Sequence, residues 1–245
     1  AVWRVIVKKE PTHGEDEAVY QSGESFIEML LKTTDFRLFS LPDSDPKSYQ
    51  SLAHAALRKS LKQRGHTYCW MVVTIDGIPQ PKIVFELFSQ QLPRTCQNFL
   101  HLCRGDLPDV FDEKTKTKIR LSYKGTMFFR TIKNGWIQGG DVEPPHKGNG
   151  GHSCFGAKYF PCESFDVPHD AKGILGMCND GEGTNASSFY ITLAKSSWMN
   201  QSYSAFGRVV EGLGVLDTIG AVATHHNQSP KQTIVISDCG ELELQ

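Results

Sequence analysis

The stretch YCWMVVTIDGIPQPKIVFELF, residues 68–88, decides the fold class. Tyr68 to Ile75 and Lys82 to Phe88 are short runs rich in β-branched and aromatic residues, and the DGIPQP between them supplies the Gly and Pro that a turn demands. The pair reads as a hairpin. LPRTCQNFLHLC follows, with Pro93 as a helix start and Cys96, Phe99, Leu100 and Cys103 as an apolar stripe, so an amphipathic helix comes next. From Ile119 onward the runs MFFRTI, GWIQGG, KGILGMC, SSFYITLA, YSAFGRVV and TIVISDCGELEL are separated by Gly-rich and polar turns. Many short strands with that punctuation predict a mainly β fold, either a sandwich or a closed barrel.

Upstream of Gly65 the texture differs. Val2 to Val7 is β-rich and predicts a strand, Ser25 with Glu28 resembles a capping box, and Phe26, Ile27, Leu30 and Leu31 share a helical face. A second helix is N-capped by Asp45 with Pro46 at its first position, and Tyr49, Leu52, Ala53, Ala56, Leu57 and Leu61 recur at its period. Arg58, Lys59, Lys62 and Arg64 near its end suit the negative pole of the helix dipole and read as a solvated helix end. The chain therefore divides into residues 1–65, an N-terminal extension with a strand and two helices that could dock partners, and a domain over residues 66–245.

Totals exclude several function classes. Hydrophobic residues make up 39% of the 245 and charged residues 22%, as in ordinary globular proteins. With 26 basic and 27 acidic side chains there is no broad positive field for a phosphate backbone, so nucleic acid is not an expected partner. No apolar run approaches the roughly 20 residues of a membrane span, and AVWRVIVKKEPTHGEDE lacks the apolar core of a signal peptide. These features predict a soluble, cytoplasmic protein, while a chain that starts at Ala1 rather than Met leaves its true N-terminus open. The seven cysteines form no C-x-x-C pair and read as reduced thiols; the nine histidines form no ligand spacing, and His225-His226 sits in ATHHNQSP, an expected exposed loop. No metal and no cofactor are expected.

The chemistry concentrates in FFRTIKNGWIQGGD, residues 128–141. Arg130 and Gln138 are eight apart, an even number, so on regular strand they face one side, with Asn134-Gly135 as the place where a bulge would spoil the count. Taken alone, Arg130 reads as one half of a surface ion pair, Gly139-Gly140 as a turn or close backbone approach, and Trp198-Met199 as core.

The ordered set is more telling. VFELF, P-x-T-x-x-NF, YKG, F-x-R, QGGD, G-x-GG, GILGM-x-N, TN-x-S-x-F-x-I-T-x-A, FG-x-V, EG and I-x-DCG follow one another in the order and spacing of the cyclophilins, and residues 66–245 resemble that family. The resemblance implies an eight-stranded closed antiparallel barrel capped by two helices, about Leu92 to Arg104 and Gly212 to Ala221. It also implies a peptidyl-prolyl cis-trans isomerase acting on X–Pro bonds of proteins. Such a catalyst needs no nucleophile: the barrier of roughly 18–20 kcal/mol is amide resonance, and a guanidinium aimed at the proline nitrogen stabilises its lone pair as the bond twists. By resemblance Arg130 is that guanidinium, Gln138 orients it and the substrate carbonyl, and the backbone of Asn179 anchors the peptide. Trp136, Cys178, Ser188, Tyr190, Trp198, Met199 and Tyr203 complete the expected substrate-binding set.

Several of those positions depart from the family pattern. Gly135-Trp136 stands where Phe-Met is usual, Cys178 for Ala, Ser188 for Gln, Tyr190 for Phe, Met199 for Leu, and Tyr203 for His. Weakened activity follows, because catalysis depends on placement, and binding of a cyclosporin-type macrocycle is expected to be weak although Trp198 is retained. The NGWIQGGD string, the long segment Asp106 to Leu121 and the basic helix upstream resemble the peptidyl-prolyl isomerase-like 6 branch. That branch implies the cilium and an axonemal assembly such as a radial spoke. Two function classes thus stand side by side: an isomerase, and a catalytically poor cyclophilin serving as a structural or docking subunit.

Overall fold

A tight turn starts the barrel. Asp76 and Gly77 both adopt left-handed backbone angles, φ +49° and +82°, the combination whose twist matches a two-residue hairpin loop. In the computed structural model, which describes residues 64–113, 116–181 and 183–243, this turn joins β1 (Thr67–Ile75) to the short β2 (Ile78–Pro79), and β3 (Ile83–Leu87) then returns along β1. The strand expected at Val2 to Val7 and the two helices expected before Gly65 lie outside the described residues. A compact unit runs from His66 to Glu243.

Helix α1 (Pro93–Arg104) follows β3. Its buried face is Thr95, Cys96, Asn98, Phe99, Leu102 and Cys103; Leu102 rather than the half-buried Leu100 completes the stripe, because the core lies on the Phe99 side. No residue of its own sequence caps the N-terminus. Glu163 does so from a distant loop, accepting the N–H of Arg94 at 3.0 Å, the N–H of Thr95 at 2.6 Å and the Thr95 hydroxyl at 2.7 Å. A carboxylate there meets both the orphan donors and the positive end of the dipole.

The segment between Asp106 and Leu121 forms its own hairpin, β4 (Val110–Asp112) with β5 (Thr117–Ile119), tied by Lys118 to Asp109 at 2.8 Å. The remaining strands are β6 (Phe128–Ile132), β7 (Trp136–Gly139), β8 (Ile174–Met177), β9 (Phe189–Thr192), β10 (Ala205–Glu211) and β11 (Ile234–Glu241), with α2 (Leu213–Ala221) between the last two. They lie in the order β11-β1-β3-β10-β8-β9-β7-β6, each pair antiparallel. The eight-strand path curls until its two edges meet. There the seam is short: Met127 bridges Val235, Ile236 N–H donates to Thr126 O, and Gly125 N–H donates to Ile236 O.

Side chains fill the interior, as expected of a barrel this size. The Phe99 ring, carried in by α1, packs against Phe85, Tyr123, Phe189 and Phe206 at centroid distances of 5.1–5.8 Å. Val215, Leu216 and Ile219 are the buried face of α2. One charge is buried in β3 and fully partnered: Glu86 accepts from Tyr68 and His66 on one oxygen and from Arg208 Nε on the other. The fold is the mainly β, two-helix architecture that the strand pattern and the family resemblance imply.

Candidate active site

The β6–β7 hairpin forms a wall. Ile132 pairs with Trp136 and Arg130 with Gln138, so the chain turns through Lys133, Asn134 and Gly135, with Asn134 at φ +57°. Arg130 and Gln138 are therefore neighbours across a ladder and not successive residues of one strand. Their even separation places them on one side because partners across a hairpin share a face. The register slips at Phe129, a bulge beyond this pair, and leaves it in phase with the turn. Arg130 Nη1 lies 3.5 Å from Gln138 Oε1.

This wall borders a cleft of about 680 Å³, whose lining includes Arg130, Trp136, Gln138, Cys178, Asn179 and Ser188. Tyr190, Met199 and Tyr203 line it as well. Trp198, the remaining expected residue, stands at the edge, 61% exposed, with its ring 5.4 Å from that of Trp136 and 6.3 Å from that of Tyr203. It belongs to a short 3₁₀ turn, Ser197–Met199, that also buries Met199. The structure thus brings nine of the ten residues onto one surface and sets the tenth against two of them.

The polar members are held firmly. Gln138 donates through Nε2 to Cys178 Sγ at 3.2 Å, which turns its oxygen toward Arg130. Burial pushes the Cys178 thiol up to about 12, so it stays protonated near neutral pH. Asn179 donates through Nδ2 to Ser202 O, while neither its N–H nor its C=O bonds the backbone of another described residue. Ser188 Oγ is buried without a hydrogen-bond partner among the described residues.

Tyr190 owes its place to two neighbours. A Cβ on Gly176, its partner across the β8–β9 ladder, would overlap the phenol, so the glycine makes room for the extra hydroxyl. That hydroxyl meets His169 Nε2. Asn200 Oδ1 accepts the His169 backbone N–H at 2.9 Å and also faces Nδ1 at 2.8 Å. Since a backbone N–H can only donate, Asn200 presents its oxygen, Nδ1 carries the ring proton, and Nε2 is left as the acceptor. Tyr190 is the donor. Burial pushes the Tyr190 phenol well above its ordinary value and the His169 imidazole below its own, consistent with a neutral pair.

Gly135 contributes no atom to the cleft. A Cβ there would come within 2.9 Å of Ile132 Cγ2, so the turn itself is closed around the glycine. Trp136 lines the cleft and rests on Trp198.

Sequence reasoning did not find the remaining walls. His225, Asn227, Ser229 and Pro230 line one side, and Lys147, Gly148, Asn149 and Tyr159 another. The second wall is fixed by the buried Asp141, whose carboxylate accepts the N–H groups of Glu143, Gly148 and Gly150. Most unexpected is Gln228, whose Oε1 accepts from Arg130 Nε at 2.8 Å and Nη2 at 2.5 Å. Arg130 forms no ion pair with a described carboxylate; its partners are these two glutamines. Nothing in the local sequence marks Gln228, which is 98 residues from Arg130. The described residues hold no cluster of potential metal ligands, all seven cysteines are free thiols, and no described helix is long and apolar enough to cross a membrane.

Comparison with known proteins places these features. The sequence matches the family "Cyclophilin type peptidyl-prolyl cis-trans isomerase/CLD" over residues 70–241. It is 38% identical over 197 residues to the Bos taurus protein named "Probable inactive peptidyl-prolyl cis-trans isomerase-like 6", covering 80% of this chain and 62% of that one. The proteins of the same name from Homo sapiens (37% over 205 residues, 83% and 63%) and Mus musculus (37% over 213 residues, 86% and 66%) are similar to it too. The chain spans less than two thirds of the length of each of these relatives. A curled antiparallel barrel, a cleft walled by an Arg–Gln pair and a match across most of the domain lead to one assignment: the chain belongs to the cyclophilin-type peptidyl-prolyl cis-trans isomerase family.

Proposed function

We propose that the cleft binds X–Pro segments of protein chains and catalyses their cis–trans interconversion at a reduced rate. The observation that carries this reading is Arg130 beside Gln138 on the wall of a cleft that also offers the aromatic and thioether surfaces of Trp136, Tyr190 and Met199. A proline ring seats against the apolar surfaces, Asn179 engages the peptide backbone, and the guanidinium stabilises the nitrogen lone pair in the twisted state only. Gly135 supplies no aromatic wall, and Tyr203 offers a phenol where the family pattern has an imidazole; both changes lower transition-state complementarity. Weak binding of cyclosporin-type macrocycles follows from the same loss. A protease-coupled assay on a short Ala-Pro peptide tests the reading, and a rate equal to the uncatalysed one overturns it.

A second reading has its own support. The relatives' printed name calls them "Probable inactive", and this chain displays Trp198 and, on the β4–β5 hairpin, Phe111 at 53% exposure. In this reading the barrel is a docking subunit, with residues 1–65 and the Asp106 to Leu121 hairpin as further contact elements. The branch resemblance points to an axonemal assembly of the cilium. Imaging the tagged full-length protein in ciliated cells tests that location; a diffuse cytoplasmic signal absent from axonemes contradicts it.

A further inference from the structure

The loop between α2 and β11 folds back on itself. His225 N–H donates to Ser229 O at 2.9 Å, Gln228 N–H to His225 O at 2.9 Å, and Lys231 N–H to Ala223 O at 2.8 Å. Gln228 sits there at φ +67°, a left-handed angle that disfavours any residue with a Cβ. It meets β6 twice: its C=O accepts the Thr131 N–H at 2.9 Å, and its side-chain oxygen accepts Nε and Nη2 of Arg130. Engaging two nitrogens of a rigid planar fork fixes the plane of that fork. The Nη1 edge, beside Gln138, is the one left for a ligand.

We propose that Gln228 is the positioning residue for Arg130, holding the guanidinium plane so that its Nη1 edge faces the proline nitrogen. Gln228 is not among the residues that line the cleft and acts through Arg130. The strained backbone at Gln228 sets this role apart from simple loop stability. A glycine adopts φ +67° freely, so a loop built only for stability is improved by Gln228→Gly. A positioning residue gives the opposite sign at the site.

The inference rests on the cleft being a proline site, and the test separates the two. In the full chain, the Arg130 Nε–H resonance is assigned by its loss in Arg130→Lys, and its hydrogen exchange is measured together with Tm and with affinity for an Ala-Pro peptide by NMR titration. Gln228→Gly is expected to keep or raise Tm, to speed Nε–H exchange about ten-fold or more, and to weaken peptide affinity or kcat/KM by about ten-fold to a hundred-fold. Gln228→Glu, which keeps an acceptor at the same reach, is expected to retain slow exchange and peptide affinity. If the peptide binds the wild type and Gln228→Gly alike, with Nε–H exchange unchanged, the positioning role is overturned alone. If the wild type binds no proline peptide, the reading of the cleft falls and this role falls with it.

Discussion

Tyr190 gives its hydroxyl proton to Nε2 of His169, and Asn200 fixes the direction of that bond by occupying Nδ1–H. The imidazole is thus useful only while neutral. Its pKa is lowered, chiefly by burial, from an ordinary 6.5. The unfolded chain therefore binds a proton that the folded one refuses, and the contribution to stability is complete above about 6.5 and is lost as pH falls through the folded value. Thermal melts between pH 7.5 and 5 should show Tm falling in this window, and His169→Gln should flatten that fall. Tyr190→Phe should cost about 1 kcal/mol at pH 7.5. An unchanged pH profile in His169→Gln contradicts the assignment.

The Arg130 side chain is exposed and, among the described residues, bonds only Gln138 and Gln228, so its removal leaves the described core untouched. Arg130→Ala should lower kcat/KM on the order of a hundred-fold while Tm stays within a degree or two. A variant that keeps more than about half the wild-type rate rules out a transition-state role for the guanidinium.

Gly135 can be tested by filling it. Because an added Cβ lies 2.9 Å from Ile132 Cγ2, Gly135→Ala should destabilise the protein by about 1 kcal/mol, read from urea melts, and Ile132→Ala in the same chain should relieve part of that cost. In that relieved background, Gly135→Phe with Trp136→Met rebuilds the usual aromatic wall. The combined variant should raise kcat/KM and cyclosporin affinity together. If neither rises, Ser188 or Tyr203 is the block, and the docking reading gains.

Glu163 caps α1 across a long stretch of chain. Glu163→Ala should lower stability by about 1–2 kcal/mol, seen as a lower urea midpoint with an unchanged slope. A shift within error means that solvent replaces the carboxylate at no cost.

Much of the architecture was legible because it is local. The Asp76-Gly77 turn, the Pro93 helix start and the strands from β6 to β11 follow from residues adjacent in sequence. Arg130 and Gln138 were legible only as a pair on one side; spacing cannot tell a long strand from a hairpin, and the turn at Asn134 decided it. The family resemblance selected the other seven cleft residues and Trp198 at the edge; taken alone, Trp198 and Met199 would have been left in the core. Gln228, Glu163 and the Gly176–Tyr190 fit were invisible for a different reason. Each depends on a contact that exists only once distant loops are fixed, and no periodicity records it.

The seam between β6 and β11 ties the cation of the cleft to both edges of the sheet. Arg130 belongs to the strand at one edge of the sheet, whereas the loop carrying Gln228 leads directly into the strand at the other edge. Among the described strands β11 stands last in sequence, although its neighbour β1 stands first. The hydrogen bonds that fix the guanidinium plane therefore span the closure of the sheet, between one edge and the loop that enters the other. A change confined to the seam is thus expected to reach the cation of the cleft, although Arg130 itself lies on β6.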